Sequence, residues 1–274
     1  MSGTGPGPLN TATRSILITG AGSGIGHDAA FALAALGHRV HATTADDAQA
    51  EALRAEALDR RLPMTVFKLD ITRADERALV APLELDVLIN NAGVGESGSL
   101  ADVPIERVRR CFEVNVFGTL ELTQLVLRGM IARRRGTVLF VSSIAGRIPV
   151  PFLMPYSMSK FALSAAGAGL RAEMDQLGAG IQVALIEPGA FHTGFNQAMT
   201  ARKYEWMAAG SYFSGQAARL RTAETRRFGW LESRSTRPIV NQIVRAALAH
   251  RPRLRYTAPW IQGAGVRLAR IFGV

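Results

Sequence analysis

Tyr156 and Lys160 stand four residues apart in the run Pro155-Tyr156-Ser157-Met158-Ser159-Lys160. Met158, Phe161, Ala162, Ala165 and Ala166 give the stretch after Pro155 an apolar face at helical spacing, so the two side chains lie one above the other, about 5–6 Å apart at Cβ. A free phenol titrates near pH 10 and moves protons poorly at neutral pH; a fixed ammonium beside it favours the phenolate and pulls that value toward about 7. The spacing therefore predicts a tyrosine that exchanges a proton with a substrate oxygen. Ser143, at the end of the β-branched run 137–141, adds a hydroxyl for the same oxygen. Tyr-x-x-x-Lys alone is more often an amphipathic surface pair. Composition favours a specific role: only three of the 32 basic residues are lysines (Lys68, Lys160, Lys203), and arginine does not reproduce the compact charge of an ammonium.

The elements that must carry this pair alternate between strand and helix patterns. Residues 15–19 form a short apolar run feeding Gly20-Ala21-Gly22-Ser23-Gly24-Ile25-Gly26, and a helical pattern follows to Gly37. Strand, glycine-rich turn and helix together aim backbone N–H groups at a phosphate. Residues 39–43 read as strand two and 47–61 as a helix. Thr44, 18 residues past Gly26, sits where dinucleotide folds place an acid for the ribose 2′-hydroxyl. Its lack of charge tips the reading slightly toward NADP over NAD, although no arginine follows and Asp46 and Asp47 are close. Residues 64–69 and 86–89 read as strands three and four. They end at Asp70, a partner for adenine or a helix cap, and at Asn90-Asn91-Ala92-Gly93, small residues suited to close ligand approach.

Pro104 opens a long helical pattern to residue 133 with Asn115 in mid-course, a locally unfavourable place that invites a functional reading. Residues 136–142 and 181–186 are strands five and six, the latter leading to Pro188-Gly189 and Thr193. His192 has no evident carboxylate partner and reads as a loop residue. The segment 191–230 is irregular and holds eight aromatics, which reads as a substrate lid extending to about 236. Residues 238–249 read as a last helix and 254–257 as a final strand. Residues 260–274 mix apolar and Arg positions that cover the pocket, meet a subunit or touch membrane.

Length and composition set limits. With 274 residues, 48% of them hydrophobic, the chain suits a single α/β domain over 14–274, behind a loose Gly/Pro/Thr-rich arm at 1–13. No apolar run reaches membrane-spanning length and the start has no signal-peptide pattern, so a cytoplasmic protein is expected. One cysteine, Cys111, rules out an internal disulfide, and no His/Cys spacing suggests a metal. The net charge of +10 is concentrated from residue 201 onward, where 14 Lys/Arg face three acids. That bias suits an anionic membrane face or an acidic substrate; no nucleic-acid motif accompanies it.

The ordered set Thr19-Gly20-x-x-x-Gly24-x-Gly26, Asp70, Asn90-Asn91-Ala92-Gly93, Asn115, Ser143, Tyr156-x-x-x-Lys160 and Pro188-Gly189 resembles the short-chain dehydrogenase/reductase family over residues 14 to about 195. The resemblance implies a Rossmann-type doubly wound sheet of seven parallel strands with helices on both faces. It also implies hydride and proton transfer with NADP or NAD. On it Tyr156 is the acid/base, Lys160 lowers its pKa and holds the nicotinamide ribose, Ser143 positions the carbonyl, and Asn115 anchors a relay water. Gly20, Ser23, Gly24, Ile25 and Gly26 cradle the pyrophosphate, Asp70 and Ile71 the adenine, Asn91, Ala92 and Gly93 the adenosine ribose side, and Pro188, Gly189 and Thr193 the carboxamide. Thr44-Ala45 matches neither cofactor pattern of the family. The likeness extends to hydroxysteroid and retinol dehydrogenases, and Val94, Ile148, Phe152, Leu153, Phe191 and Phe195 give the substrate pocket an apolar wall. The expected enzyme interconverts a secondary alcohol and a ketone on a bulky apolar substrate. Alternatives are a reductase of 3-oxoacyl thioesters or another polar carbonyl, and a dinucleotide sensor without chemistry. A homodimer or homotetramer is expected through the helices at 104–133 and 155–177, with peripheral membrane contact by the basic C-terminal part a further reading.

Overall fold

A computed structural model describes residues 12–272. Seven parallel strands form one sheet in the order β3-β2-β1-β4-β5-β6-β7, with β1 at Ser15–Ile18, β2 at Arg39–Thr44, β3 at Met64–Lys68, β4 at Val87–Asn90, β5 at Gly136–Val141, β6 at Ile181–Pro188 and β7 at Arg255–Ala258. The order reverses direction between β1 and β4, and at such a switch point the loops leaving adjacent strand ends diverge and open a crevice. Every predicted strand is present within two residues of its expected ends. The expectation for the first residues falls largely outside the described part; Arg14 is described and donates to the Ala247 carbonyl (2.7 Å).

Alternation along the strands splits the core in two. Ile16, Ile18, Leu139, Val141, Ala184 and Ile186 face α1 (Gly24–Ala35) and α9 (Arg237–Leu248). Leu17, Val138, Phe140, Val183 and Leu185 face the opposite side, with α5 (Thr119–Ala132) and α6 (Met154–Leu177). Strands buried on both faces must be apolar throughout, which is why they read as unbroken hydrophobic runs. The second helix, α2 (Asp47–Asp59), is capped by Asp46, whose carboxylate accepts from Gln49 N. The third, α3 (Ala74–Ala78), is short.

Three stretches depart from expectation. The long helix at 104–133 is broken into α4 (Ile105–Phe112), a π-helical turn (Glu113–Gly118) and α5. The wider turn brings Asn115 into the protein, where it is fully buried, so it does not face solvent. The irregular segment at 191–230 is two helices, α7 (Phe195–Gly210) and α8 (Ala217–Leu231). Its helical period is masked because a lysine occupies an inward position: Met199, Lys203, Tyr204 and Met207 share the buried face, and Lys203 Nζ donates to Glu224 Oε1 (2.7 Å) across the helix pair. Finally, α9 is not the last helix, because α10 (Trp260–Ile271) follows β7.

The helix that bears Tyr156 and Lys160 lies close against the sheet because Gly167 has no side chain. A Cβ there would stand 2.7 Å from Leu185 Cδ2 and 3.1 Å from Phe140 Cδ2. Gly167→Val is expected to lose about 1–3 kcal/mol of stability by overpacking, read as a lower denaturant midpoint at unchanged slope.

Candidate active site

The carboxyl ends of β1, β4, β5 and β6 open into one cavity of about 1270 Å³. Lys160, leaving the first turns of α6, is 4% exposed, and its Nζ donates to the Val141 carbonyl (2.8 Å) at the end of β5. The helix is stitched to that strand end by Ser142, whose Oγ donates to the Lys160 carbonyl (3.0 Å) and lies 2.7 Å from Ser164 Oγ. Gly146 permits this, since a Cβ there would stand 2.6 Å from the Lys160 carbonyl oxygen. Tyr156 is fixed through its backbone, N–H to the Glu96 carbonyl (3.0 Å), and Lys160 Nζ lies 5.6 Å from the centre of its ring. Tyr156, Lys160 and Ser143 all line the cavity.

Burial governs both titrating groups. Lys160 is pushed down to about 8, because desolvation disfavours its ammonium. Tyr156 is pushed up from its ordinary value, again by burial, with hydrogen bonding to Ser143 pulling the other way. The direction is opposite to the pull toward 7 that the spacing predicts, because burial disfavours the phenolate. Ser143 Oγ accepts from Ala145 N (3.1 Å) and donates to the Pro188 carbonyl (3.4 Å), which orients its hydroxyl at the β6 end of the cavity.

Asn115 does not line the cavity. Its Oδ1 accepts from Val94 N (2.8 Å), and its Nδ2 donates to the Val94 carbonyl (2.9 Å) and to Ser159 Oγ (2.9 Å). It braces the loop after β4 against the α6 turn between Tyr156 and Lys160. Gly93 lies beneath this brace, where a Cβ would approach Asn115 Oδ1 at 3.1 Å and Lys160 Nζ at 3.5 Å.

The crevice arm fits a dinucleotide. Gly20, Ser23, Gly24, Ile25 and Gly26 line it, and the Ser23 side chain makes no capping bond, so the first N–H groups of α1 are left for an anion. Gly20 is left-handed (φ 66°), and a Cβ on it would stand 2.7 Å from Ala92 Cα. Asn91 Nδ2 donates to the Thr19 and Gly20 carbonyls (both 2.9 Å) and holds the two loops together. Asp70, Ile71, Ala92, Gly93, Pro188, Gly189 and Thr193 complete the wall. Asp70 does not cap α3 directly; its Oδ1 accepts from Thr72 N (2.9 Å) and Thr72 Oγ1 (2.7 Å).

Thr44 is a correction. Its side chain is buried and donates to the Asp46 carbonyl (2.8 Å), leaving Ala45 and Gln49 on the wall where Thr44 was expected. Gln49 follows from the capping geometry: with Asp46 at the cap, its side chain leaves the first turn of α2 toward Gly22.

The other end of the cavity is mostly apolar, with Asn196, the Lys203–Glu224 pair and Arg227 also on its wall. Val94, Ile148, Phe152, Leu153, Phe191 and Phe195 line it together with Met199, Leu220 and Phe228. Phe195, opening α7, lies 5.7 Å from the Tyr156 ring, centre to centre, and Phe152 meets Phe213 edge-on at 5.1 Å. Sequence reasoning missed the ties beneath this end. Glu187 is fully buried and accepts from Arg147 (3.1 Å), Arg255 and Thr257 (3.2 Å), so the loop after Ser143 is held to β6 and β7. His192 does have a carboxylate partner, Glu232, at 2.7 Å, which also accepts from Asn196 (2.9 Å) and Gln197 (2.8 Å). That cluster fastens the base of α7 to the end of α8, 40 residues away in sequence and invisible to a local pattern.

The short chain dehydrogenase family pattern matches residues 14–204, and the chain belongs to that family. It is 34% identical over 197 residues to mouse dehydrogenase/reductase SDR family member 7B, covering 68% of this chain and 60% of the relative. It is also 36% identical over 203 residues to human retinol dehydrogenase 8, covering 71% and 64%. The matches thus span about three-fifths of these relatives' own length. A solved short-chain dehydrogenase from Streptomyces avermitilis superposes with a TM-score of 0.76 at 26% identity, covering 95% of this chain and 94% of that one.

The buried lysine makes a direct prediction. With only three lysines, ¹³C-labelled lysine resonances are assignable, and one is expected to titrate near 8 in the dinucleotide-free protein. The unfolded chain keeps that proton to about 10.5, so this group makes stability rise with pH between those values. Three midpoints all above 10 would contradict the burial described here.

Proposed function

We propose that the protein is an NAD(P)-dependent oxidoreductase that interconverts a secondary alcohol and a ketone on a bulky apolar substrate. The observation that carries this reading is one continuous cavity with two unlike ends, meeting at Tyr156, Ser143 and Lys160. A nicotinamide dinucleotide held in the glycine-lined arm would supply or accept the hydride. Its aromatic partner end has room and apolar surface for a multi-carbon substrate.

In the reductive direction the Tyr156 hydroxyl gives its proton to the carbonyl oxygen as the carbon gains hydride. The raised pKa keeps that phenol protonated but makes it a weaker acid, so the transfer depends on Lys160 and Ser143 stabilising the phenolate as it forms. Ser143 donates a hydrogen bond to the same oxygen, giving up its long contact with the Pro188 carbonyl. Lys160 stabilises the phenolate left behind and, with its own value near 8, returns a proton without leaving its carbonyl anchor. Oxidation runs through the same groups in reverse. Asn115 keeps the loop after β4 and the α6 turn in register, and α7 with α8 serves as the lid that excludes water.

Asp46 is turned to the Gln49 backbone as the cap of α2, and neither it nor Asp47 is on the cavity wall beside Ala45 and Gln49, which supports NADP over NAD. Titration with both reduced dinucleotides is expected to give tighter binding of NADPH; tighter NADH binding would reverse the preference. Tyr156→Phe is expected to keep dinucleotide affinity and lose roughly 10²–10⁴-fold in turnover of bulky ketones. Turnover by the wild type confined to small polar carbonyls would remove the substrate reading.

A further inference from the structure

The helix α10 presents an apolar face that nothing in the described chain covers. Trp260, Ile261, Leu268, Ile271 and Phe272 are 76%, 66%, 56%, 75% and 79% exposed. At helical spacing these five fall within an arc of roughly 120°. The opposite side is committed: Gly263 and Val266 are buried, and a Cβ on Gly263 would stand 2.8 Å from Thr257 Cγ2 of β7. Arg267 is exposed at the edge of the apolar face, and Arg270 is exposed near the end of the helix on the other side. Gln262 Nε2 donates to the Leu231 carbonyl (2.7 Å), which ties the end of α8, next to the 89% exposed Trp230, to the first turn of α10.

We propose that this surface docks the protein on an anionic lipid membrane, with α10 lying in the plane of the interface. Exposed tryptophans, an arginine at the edge of the face and a one-sided apolar helix are features by which interfacial helices bind. Twelve residues reach about 18 Å, short of the roughly 30 Å of hydrocarbon, so the helix lies on the bilayer and does not cross it. Charge selects this occupant over a second copy of the chain. On α8 and α10 six exposed arginines (Arg219, Arg221, Arg226, Arg227, Arg267 and Arg270) stand against one acid, Glu224, itself paired with Lys203, a balance that would repel an identical surface and attract an anionic one.

Position gives the docking a purpose. Gln262 and Val266 of α10 and Phe228 and Leu231 of α8 line the cavity as well as supporting this face. Helix α10 therefore stands between the lipid-facing surface and the cavity wall, so docking brings the pocket within about one helix diameter, about 10 Å, of the source of a lipid-dissolved alcohol or ketone. This purpose rests on the proposed substrate class; the docking itself does not.

Co-sedimentation of the full chain with vesicles of phosphatidylcholine alone, and of phosphatidylcholine with phosphatidylglycerol, tests the proposal. Binding is expected on the anionic vesicles at about 0.1 M salt, about tenfold weaker at about 0.5 M salt or on phosphatidylcholine alone. The paired variant Ile261→Glu, Ile271→Glu is expected to lose vesicle binding about tenfold or more while keeping dinucleotide affinity and its circular dichroism. Absence of binding to anionic vesicles overturns the proposal. So does equal binding by the variant, or a dimer in light scattering that this variant dissociates while vesicle binding stays unchanged. Vesicle binding without turnover of bulky ketones would overturn the proposed reaction and leave the docking standing; turnover without vesicle binding would do the reverse.

Discussion

A single buried ammonium organises this molecule. Lys160 is taken out of water and left with one backbone carbonyl, that of Val141, as its described hydrogen-bond partner. Burying a charge this way is costly, and the folded protein meets that cost by lowering the ammonium's proton affinity. Keeping it there requires that α6 lie close to β5 and β6, which the glycines at 146 and 167 allow and the Ser142 hydroxyl fastens. The loop after β4 must also close over it, which Asn115 ensures from a helix widened by one π turn.

Around that core the structure divides its labour between rigid and assembled parts. The dinucleotide arm is built from the ends of β1 and β4, stitched by Asn91, and depends on backbone approach that side chains would block. The substrate end is assembled from pieces distant in sequence. Glu187 draws the Ser143 loop to β7, Glu232 gathers the base of α7, and Lys203 with Glu224 joins α7 to α8. The first arm suits a common ligand and the second a variable one, consistent with the family match ending at residue 204.

What was legible in the sequence follows from the range of the forces involved. Strands buried on two faces and a glycine turn before a helix are local signals, so β1 to β7, the switch-point crevice and the Tyr156, Lys160 and Ser143 constellation could be read residue by residue. Asn115 was legible as an anomaly, but its partners, Val94 and Ser159, lie 21 and 44 residues away. Helices α7 and α8 were hidden because Lys203 occupies an inward position that hydrophobic periodicity assigns to an apolar residue. Thr44 was misplaced because a backbone carbonyl two residues on captured its hydroxyl and turned it inward. The raised Tyr156 value could not be foreseen from spacing, since desolvation depends on the whole fold around the ring.

The most direct test of the Lys160-centred account follows a label. Wild type and Lys160→Met would be given a bulky aryl ketone and reduced dinucleotide deuterated at the transferring position, each at saturation, and the alcohol analysed by mass spectrometry. The account predicts deuterium on the carbinol carbon with the wild type and a rate about 10²-fold or more lower for the variant. Label transfer at an equal rate without the ammonium would contradict it.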